Sequence, residues 1–337
     1  MGADIVRLRE DEGLGWQAIA ERLGLKNRDA AQRAYTAAKG PQSILRPTAK
    51  RHNLGHVLDL DPRPFAVPIA KAIDPRPGKS ITALVIGDTQ YPFHDRKCLS
   101  VVEGILAQTK PDVLLHMGDL IDCWQISDYG QDPAKMGNLQ NDIDGCRTLL
   151  HRWAQLAPSA RRVLLEGNHE DRLRRLIWKL PGTASELARL RSFQEAMTWP
   201  SLLDMDGIGW EWIPAGQQSR TPILPKLISI HGHQLKGSPT VEGACARKCV
   251  TRYGRSVIVG HHHRACVISR RDHNGQAFGI ETGCTCLLDG QPYGEDFNWQ
   301  QALTLIEWSG DQKLMTVQQV HIRDGRARWQ GQDYRAA

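Results

Sequence analysis

Five short polar clusters recur through the middle of this chain: Gly87-Asp88-Thr89-Gln90, Gly118-Asp119-Leu120-Ile121-Asp122, Gly167-Asn168-His169-Glu170, His231-Gly232-His233 and Gly260-His261-His262-His263. Between them they offer carboxylate, carboxamide and imidazole groups, the mixed oxygen and nitrogen donors that hold divalent cations. Taken singly, each has a plain alternative. A Gly-Asp or Gly-Asn pair commonly ends a strand in a turn, and His-Gly-His is often a surface loop. Taken together they are harder to dismiss, because each follows a β-rich run, and the ends of strands are where α/β folds carry their sites.

The elements that must position these clusters are legible as changes of period. Ile81 to Ile86, Val113 to Met117 and Arg162 to Leu165 read as strands, with helices from about Arg96 to Thr109 and from about Asp142 to Leu156 between them. Such alternation argues for an α/β layered core. Further strands read at Leu227 to Ile230, Ser256 to Val259 and Cys266 to Ser269, and Asn274-Gly275 suits a hairpin turn. From Ala302 to Ile322 the pattern is β again, and this stretch is expected to supply the second sheet that closes a sandwich. Residues 326–337 read as a C-terminal tail.

Upstream the character is different. Ile5, Val6 and Leu8, then Trp16, Ile19, Ala20 and Leu23, then Ala30, Ala31, Ala34 and Tyr35 recur at three- and four-residue intervals, which predicts three short helices in residues 1–40, a small all-α domain. Asn27 is placed to cap the third. The stretch from Gly15 to Gly24 resembles the first helix and turn of a helix-turn-helix module, in which Arg28, Gln32 and Arg33 would face the DNA groove. Met1 to Arg51 holds ten basic residues against six acids, so +4 of the chain's net +6 lies there. The alternative is a helical bundle used for assembly, against the main domain or as a homo-oligomer. Seven prolines in residues 41–80 preclude regular helix and predict a stiff linker.

Composition sets broad bounds. With 337 residues the chain can bury a large core, and 41% apolar and 24% charged residues are ordinary for a globular protein. No apolar run approaches the length of a membrane span, and the charged N-terminus lacks the apolar core of a secretory signal, so a cytoplasmic location without membrane contact is expected. The eight cysteines should then be thiols. Cys245 and Cys249 have three residues between them and Cys284 and Cys286 one, neither in the paired C-x-x-C arrangement that marks a zinc site. A pI near 8.9 suits an anionic partner such as nucleic acid.

The clusters, in their order, resemble the calcineurin-like metallophosphoesterases, whose pattern runs D-x-H, G-D-x-x-D, G-N-H-D/E, a lone His and G-H-x-H. Four of the five match, over roughly residues 81 to 290. The resemblance implies a four-layer α/β/β/α sandwich spanning 81–325, with a helical cap inserted at about 172–204. It also implies two divalent ions sharing one carboxylate, an arrangement that activates water near neutral pH. By resemblance one ion is held by Asp88, Gln90, Asp119 and His263, and the other by Asp119, Asn168, His231 and His261. His169 is left to protonate the leaving oxygen or to stabilise the phosphoryl group, with Asp122 as an anchor for it or for a ligating His. Gln90 departs from the family, which usually has His there. A carboxamide oxygen is a weaker donor to zinc or iron than imidazole, so Mn²⁺ is favoured, with Mg²⁺, Zn²⁺ or Fe as alternatives.

His94, four residues downstream, is expected to contact substrate. The run from Arg172 to Lys179 reads as an amphipathic helix with a solvated charged face, or as part of a cap whose Arg172, Arg175 and Trp178 grip a phosphodiester and stack a base. Three functions remain open on these residues. The first is a two-metal phosphodiesterase or nuclease acting on DNA, a combination that looks like phage or prophage members of the family. The second is a phosphatase or small-molecule phosphodiesterase such as one acting on cyclic nucleotides. The third is a DNA-binding regulator with a vestigial metal site.

Overall fold

Strand β1 (Ile81–Ile86) is apolar on both faces, and its alternation assigns each face to a different layer. Ala83 and Val85 pack with Leu115, Val163, Ile258 and Ile280, whereas Leu84 and Ile86 pack with Val102, Ile105 and Leu150. A strand buried this way belongs at the centre of a sheet with a second sheet on one side and helices on the other.

The computed structural model describes residues 2–12, 14–38, 79–128, 137–235, 241–273, 275–289, 298–311 and 313–336. The chain divides into two units, Met1–Ala66 and Val67–Ala337. The first holds α1 (Gly2–Glu10), α2 (Trp16–Arg22) and α3 (Arg28–Ala38) around Ile5, Leu8, Ile19, Ala20 and Ala31. Asn27 accepts a hydrogen bond from the Ala30 amide at 2.9 Å, fixing the start of α3, and Arg28, Gln32 and Arg33 are exposed along that helix. The expected linker lies outside the described residues except for 79 and 80.

In the second unit β1 is followed by α4 (Arg96–Thr109), β2 (Val113–His116), α5 (Leu139–Leu156) and β3 (Arg161–Leu165). Five short helices follow: α6 (Asp171–Trp178), α7 (Ala184–Leu187), α8 (Arg191–Ala196), α9 (Trp199–Leu202) and α10 (Met205–Ile208). Then come β4 (Glu211–Ile213), β5 (Leu227–Ile230), α11 (Ala244–Tyr253), β6 (Ser256–Val259), β7 (Ala265–Asp272) and β8 (Gly275–Thr282). The described chain finishes with β9 (Ala302–Trp308), β10 (Met315–His321), β11 (Arg326–Trp329) and β12 (Gln332–Arg335). Asp95 caps α4 by accepting from the Lys97 and Cys98 amides, and Asn138 caps α5 through the Gln140 amide.

The first sheet has the order β10-β9-β1-β2-β3-β4, and β1 to β4 are parallel. The second has the order β5-β6-β8-β7, with β5, β6 and β8 parallel. Helices α4 and α5 cover the outer face of the first sheet, and Cys245 and Cys249 of α11 pack on Val257 and Val259 of the second, completing four α/β/β/α layers. Asn274 of the expected hairpin turn lies outside the described residues.

Two expectations are corrected. The stretch from Ala302 to Ile322 does not form the second sheet; β9 and β10 extend the first, antiparallel to β1. The reason lies in β9, whose first five residues are all buried, as befits a strand with neighbours on both sides and layers on both faces. Nor do the described residues of the expected 326–337 tail form one. The hairpin β11–β12 buries Trp329, whose indole nitrogen donates to Gln318 at 3.1 Å. Among the described residues no helix is long and apolar enough to cross a membrane.

Candidate metal centre

Every candidate ligand lies just beyond the C-terminal end of a parallel strand: Asp88 and Gln90 after β1, Asp119 after β2, Asn168 after β3, His231 after β5, and His261 and His263 after β6. Because β1 to β3 belong to one sheet and β5 and β6 to the other, the group converges where both sheets end together. The turns are tight. Gln90, Asp119, His261 and His263 all hold positive φ, between 50° and 66°, a conformation that costs energy in residues bearing a Cβ and that concentrates at functional sites. Gly118 has φ 97°, and a Cβ there would approach the Gly167 amide and the His231 ring within 3.0 Å.

Asp119 is the hub. Its Oδ2 lies 3.2 Å from His231 Nε2, and its Oδ1 accepts from the His169 amide at 2.9 Å. His231 donates from Nδ1 to the Met117 carbonyl at 2.8 Å, which turns Nε2 towards Asp119 and towards Asn168 Oδ1 at 3.0 Å. The donor atoms of Asp119, His231 and His261 lie within 4.8 Å of one another. On the other side of the centre Asp88 Oδ2 is 3.1 Å from His263 Nε2, and the His261 amide donates to both Asp88 oxygens. Gln90 is 3% exposed, yet its Oε1 has no hydrogen-bond partner among the described residues. An orphaned, buried carbonyl oxygen two residues after Asp88 is what a cation ligand looks like without its cation. The residues present therefore fit two divalent ions around a shared Asp119.

Charge balance within the metal-free site is consistent with this. Burial alone would depress the His231 imidazole, but the Asp119 carboxylate beside it raises it to about 10. Burial would raise the Asp119 carboxyl, but His169 and His231 hold it well below the usual range. His261 is pushed down to about 3 by burial and by the charge on His231, so its lone pair is available.

His169 Nδ1 contacts the Asp122 carbonyl at 2.9 Å and its carboxylate at 3.2 Å, while Nε2 lies 3.7 Å from Asp119 Oδ2. Burial lowers the imidazole, but Asp119 and Asp122 outweigh it, and the net shift is upward. Arg172 donates to the Asp122 carbonyl at 2.7 Å and reaches His169 Nε2 at 3.4 Å, so it is tied to the centre. Arg175 pairs with Asp171 at 2.6 Å, and Arg174 pairs with the other oxygen of the same carboxylate. Trp178 is 74% exposed with the Arg174 guanidinium over its ring, and His94 stacks on Tyr91 with ring centroids 4.6 Å apart.

Glu170 is a residue whose role sequence reasoning passed over. Its Oε2 accepts from the Asp119 and Gly167 amides and its Oε1 from the Leu120 and Ile121 amides, so one buried carboxylate joins the loops that present Asp119 and Asn168. Burial and the nearby Asp119 charge push it up to about 7. The available signal was its place directly after Asn168-His169, where an acid closes the G-N-H motif.

A four-layer sandwich with paired cation positions at the joined strand ends is the architecture of a metal-dependent phosphoesterase. The calcineurin-like phosphoesterase family model matches residues 81–265, and the chain belongs to that family. Its relatives include the Gene 54 protein of Mycobacterium phage L5, 32% identical over 238 residues that cover 67% of this chain and 89% of the relative. The Gene 54 protein of Mycobacterium phage D29 is 29% identical over 237 residues, covering 68% and 89%. Among solved structures, Vps29 from Cryptosporidium parvum aligns with a TM-score of 0.38 at 12% identity, covering 76% of this chain and 98% of that one. The TT1561 protein of Thermus thermophilus aligns at 0.34 and 9% identity, covering 71% and 99%.

Proposed function

We propose that this chain is a two-metal phosphodiesterase that cleaves DNA, with the N-terminal helices binding the nucleic acid. The observation that carries the catalytic part is the Asp119 hub, one carboxylate within reach of His231, His261 and His169. Bound divalent ions supply Lewis acidity and lower the pKa of water. The protein's own groups do the rest. Asp119, Asp88, Asn168, Gln90 and the three histidines fix the cation positions, and Glu170 holds the loops that carry two of them. His169, raised by its carboxylate neighbours and oriented through Nδ1 by Asp122, holds at Nε2, which Arg172 must leave free, a proton for the departing oxygen. Mn²⁺ is the expected metal, since Gln90 adds a hard oxygen donor.

The DNA part rests on the exposed Arg28, Gln32 and Arg33 along α3 and on the excess of positive charge around them. The two identified phage relatives accord with a phage-type member. A second reading, a phosphatase or small-molecule phosphodiesterase, is favoured by one observation: Arg172, Arg174 and Arg175 all make ion pairs or hydrogen bonds within the chain, so α6 spends its charge on Asp122 and Asp171. In that case the N-terminal helices serve assembly. The test is hydrolysis of bis-p-nitrophenyl phosphate beside labelled single- and double-stranded DNA, with Mn²⁺, Mg²⁺ or chelator, in wild type and Asp119→Ala. Mn²⁺-dependent DNA cleavage lost in the variant supports the nuclease. Cleavage of the small diester alone moves the reading to the second function, and cleavage of neither leaves a vestigial site on a DNA-binding regulator.

A further inference from the structure

Seven of the eight cysteines are buried, but they are not buried in the same company. Cys98, Cys123 and Cys146 sit in the core beneath α4 and α5, and Cys245 and Cys249 in the core beneath α11, as small apolar side chains. Cys284 and Cys286 are also inaccessible to solvent, yet belong to none of the apolar clusters. They follow β8 in a stretch stitched to the metal centre. Backbone β-bridges join Cys284 to Asp88 and to Gln301 and Cys286 to His94, and the Thr285 amide between them donates to the Asp88 carbonyl at 2.8 Å. This stitching brings both sulfurs to the face of His263 that turns away from the centre. Cys286 Sγ is 3.8 Å from His263 Nδ1, and the donor atoms of His263, Cys284 and Cys286 all lie within 4.8 Å of one another.

We propose that His263 Nδ1, Cys284 Sγ and Cys286 Sγ form a further cation position, selective for a thiophilic divalent ion such as Zn²⁺ or Cd²⁺. One imidazole and two thiolates form a ligand set that suits soft or borderline ions and disfavours Mn²⁺ and Mg²⁺. Binding turns both thiols into thiolates, whose protons leave to solvent, and takes the Nδ1 lone pair of a neutral ring whose proton then sits on Nε2. The position shares its imidazole with the phosphoesterase centre, because Nε2 of the same ring faces Asp88 at 3.1 Å. With Nδ1 protonated, the Nε2 lone pair serves the centre; with a cation on Nδ1, the ring proton sits on Nε2 and that nitrogen no longer offers a lone pair. A thiophilic ion therefore antagonises the hard ion at the neighbouring position through one ring. The spacing C-x-C gives no hint of this in sequence, because the third ligand comes from another strand.

The test is titration of the full-length, reduced and chelator-stripped chain with Cd²⁺, reading the sulfur-to-cadmium charge-transfer absorption. Wild type, Cys284→Ser, Cys286→Ser and Cys245→Ser are compared, the last because the sulfurs of Cys245 and Cys249 are 4.0 Å apart and offer a rival site. The expected result is a thiolate band saturating with a single equivalent, lost in Cys284→Ser and Cys286→Ser and kept in Cys245→Ser. A band that survives in both of the first two variants, or no band in wild type, overturns the site. If Cys284→Ser and Cys286→Ser do not fold, X-ray absorption of the Cys245→Ser chain with a single Zn²⁺ equivalent decides: two sulfurs in the ligand shell uphold the site and fewer overturn it. Absence of the band in a protein that still hydrolyses bis-p-nitrophenyl phosphate removes this site and leaves the hydrolase reading intact.

Discussion

Gln90 has a buried carbonyl oxygen with no hydrogen-bond partner among the described residues, in a sequence position where imidazole is usual, and under the proposed function this one exchange sets the metal preference of the centre. Gln90→His replaces a hard donor with a borderline one, so binding of Zn²⁺ should tighten on the order of tenfold relative to Mn²⁺. Competition between the two ions, followed by a fluorescent zinc chelator, measures it; an unchanged ratio would mean that residue 90 does not ligate. The protonation of the metal-free centre makes a second prediction. His231 stands at about 10 against an ordinary 6.5 because of its contact with Asp119. Its folded value is raised, so the pair stabilises the metal-free fold fully below the ordinary histidine range, and that contribution fades as pH climbs through about 10. A cation competing for Nε2 has to displace this proton, so metal affinity should rise with pH across the same window. Calorimetric titration near neutral pH in buffers of different ionisation enthalpy should show at least one proton released per ion; an enthalpy independent of buffer would contradict the assignment.

At the scale of elements, the legible part of the fold was whatever a local period can encode. The strand from Ile81 to Ile86 and the helix from Arg96 to Thr109 have the bounds their patterns imply, and Asp88, Asp119 and Asn168 stand out because each closes an apolar run. Sheet membership is not local. The apolar run of β9 marks a strand buried on both faces, but does not say which strands flank it. The relation of Cys284 and Cys286 to His263 is hidden for the same reason, being made by the backbone bridge from Cys284 to Asp88. The role of Glu170 was hidden because its partners are backbone amides, which leave no trace in side-chain patterns, and only its place after Asn168-His169 pointed to it. The C-terminal hairpin tests the corrected reading of residues 326–337. Trp329 is 5% exposed, belongs to the same core as α4 and stacks obliquely on Tyr334. Trp329→Ala should cost roughly 3 kcal/mol of stability in urea unfolding, as burial of a large aromatic side chain implies. A loss below about 0.5 kcal/mol, the range of ordinary surface substitutions, would return these residues to the status of a tail.

For the molecule as a whole, the open matter is whether two separately folded units share one substrate. The N-terminal unit has its own small core, with Trp16 edge-on to Tyr35, and its α3 carries exposed Arg28, Gln32 and Arg33. The phosphoesterase unit contains every candidate cation ligand, so chemistry on a small diester needs nothing from the first unit. Substitution of Arg28 and Arg33 by alanine should therefore leave hydrolysis of bis-p-nitrophenyl phosphate within about twofold of wild type while weakening DNA binding. If both arginines contact phosphates, the slope of log affinity against log salt should fall by about 1.8, roughly 0.9 for each lost contact with duplex DNA. Fluorescence anisotropy over a salt series provides the slope and a chromogenic assay the rate. A changed rate on the small diester would show that the units are coupled in catalysis. An unchanged salt slope would assign the three helices to assembly, and the phosphodiesterase would then take its substrate without them.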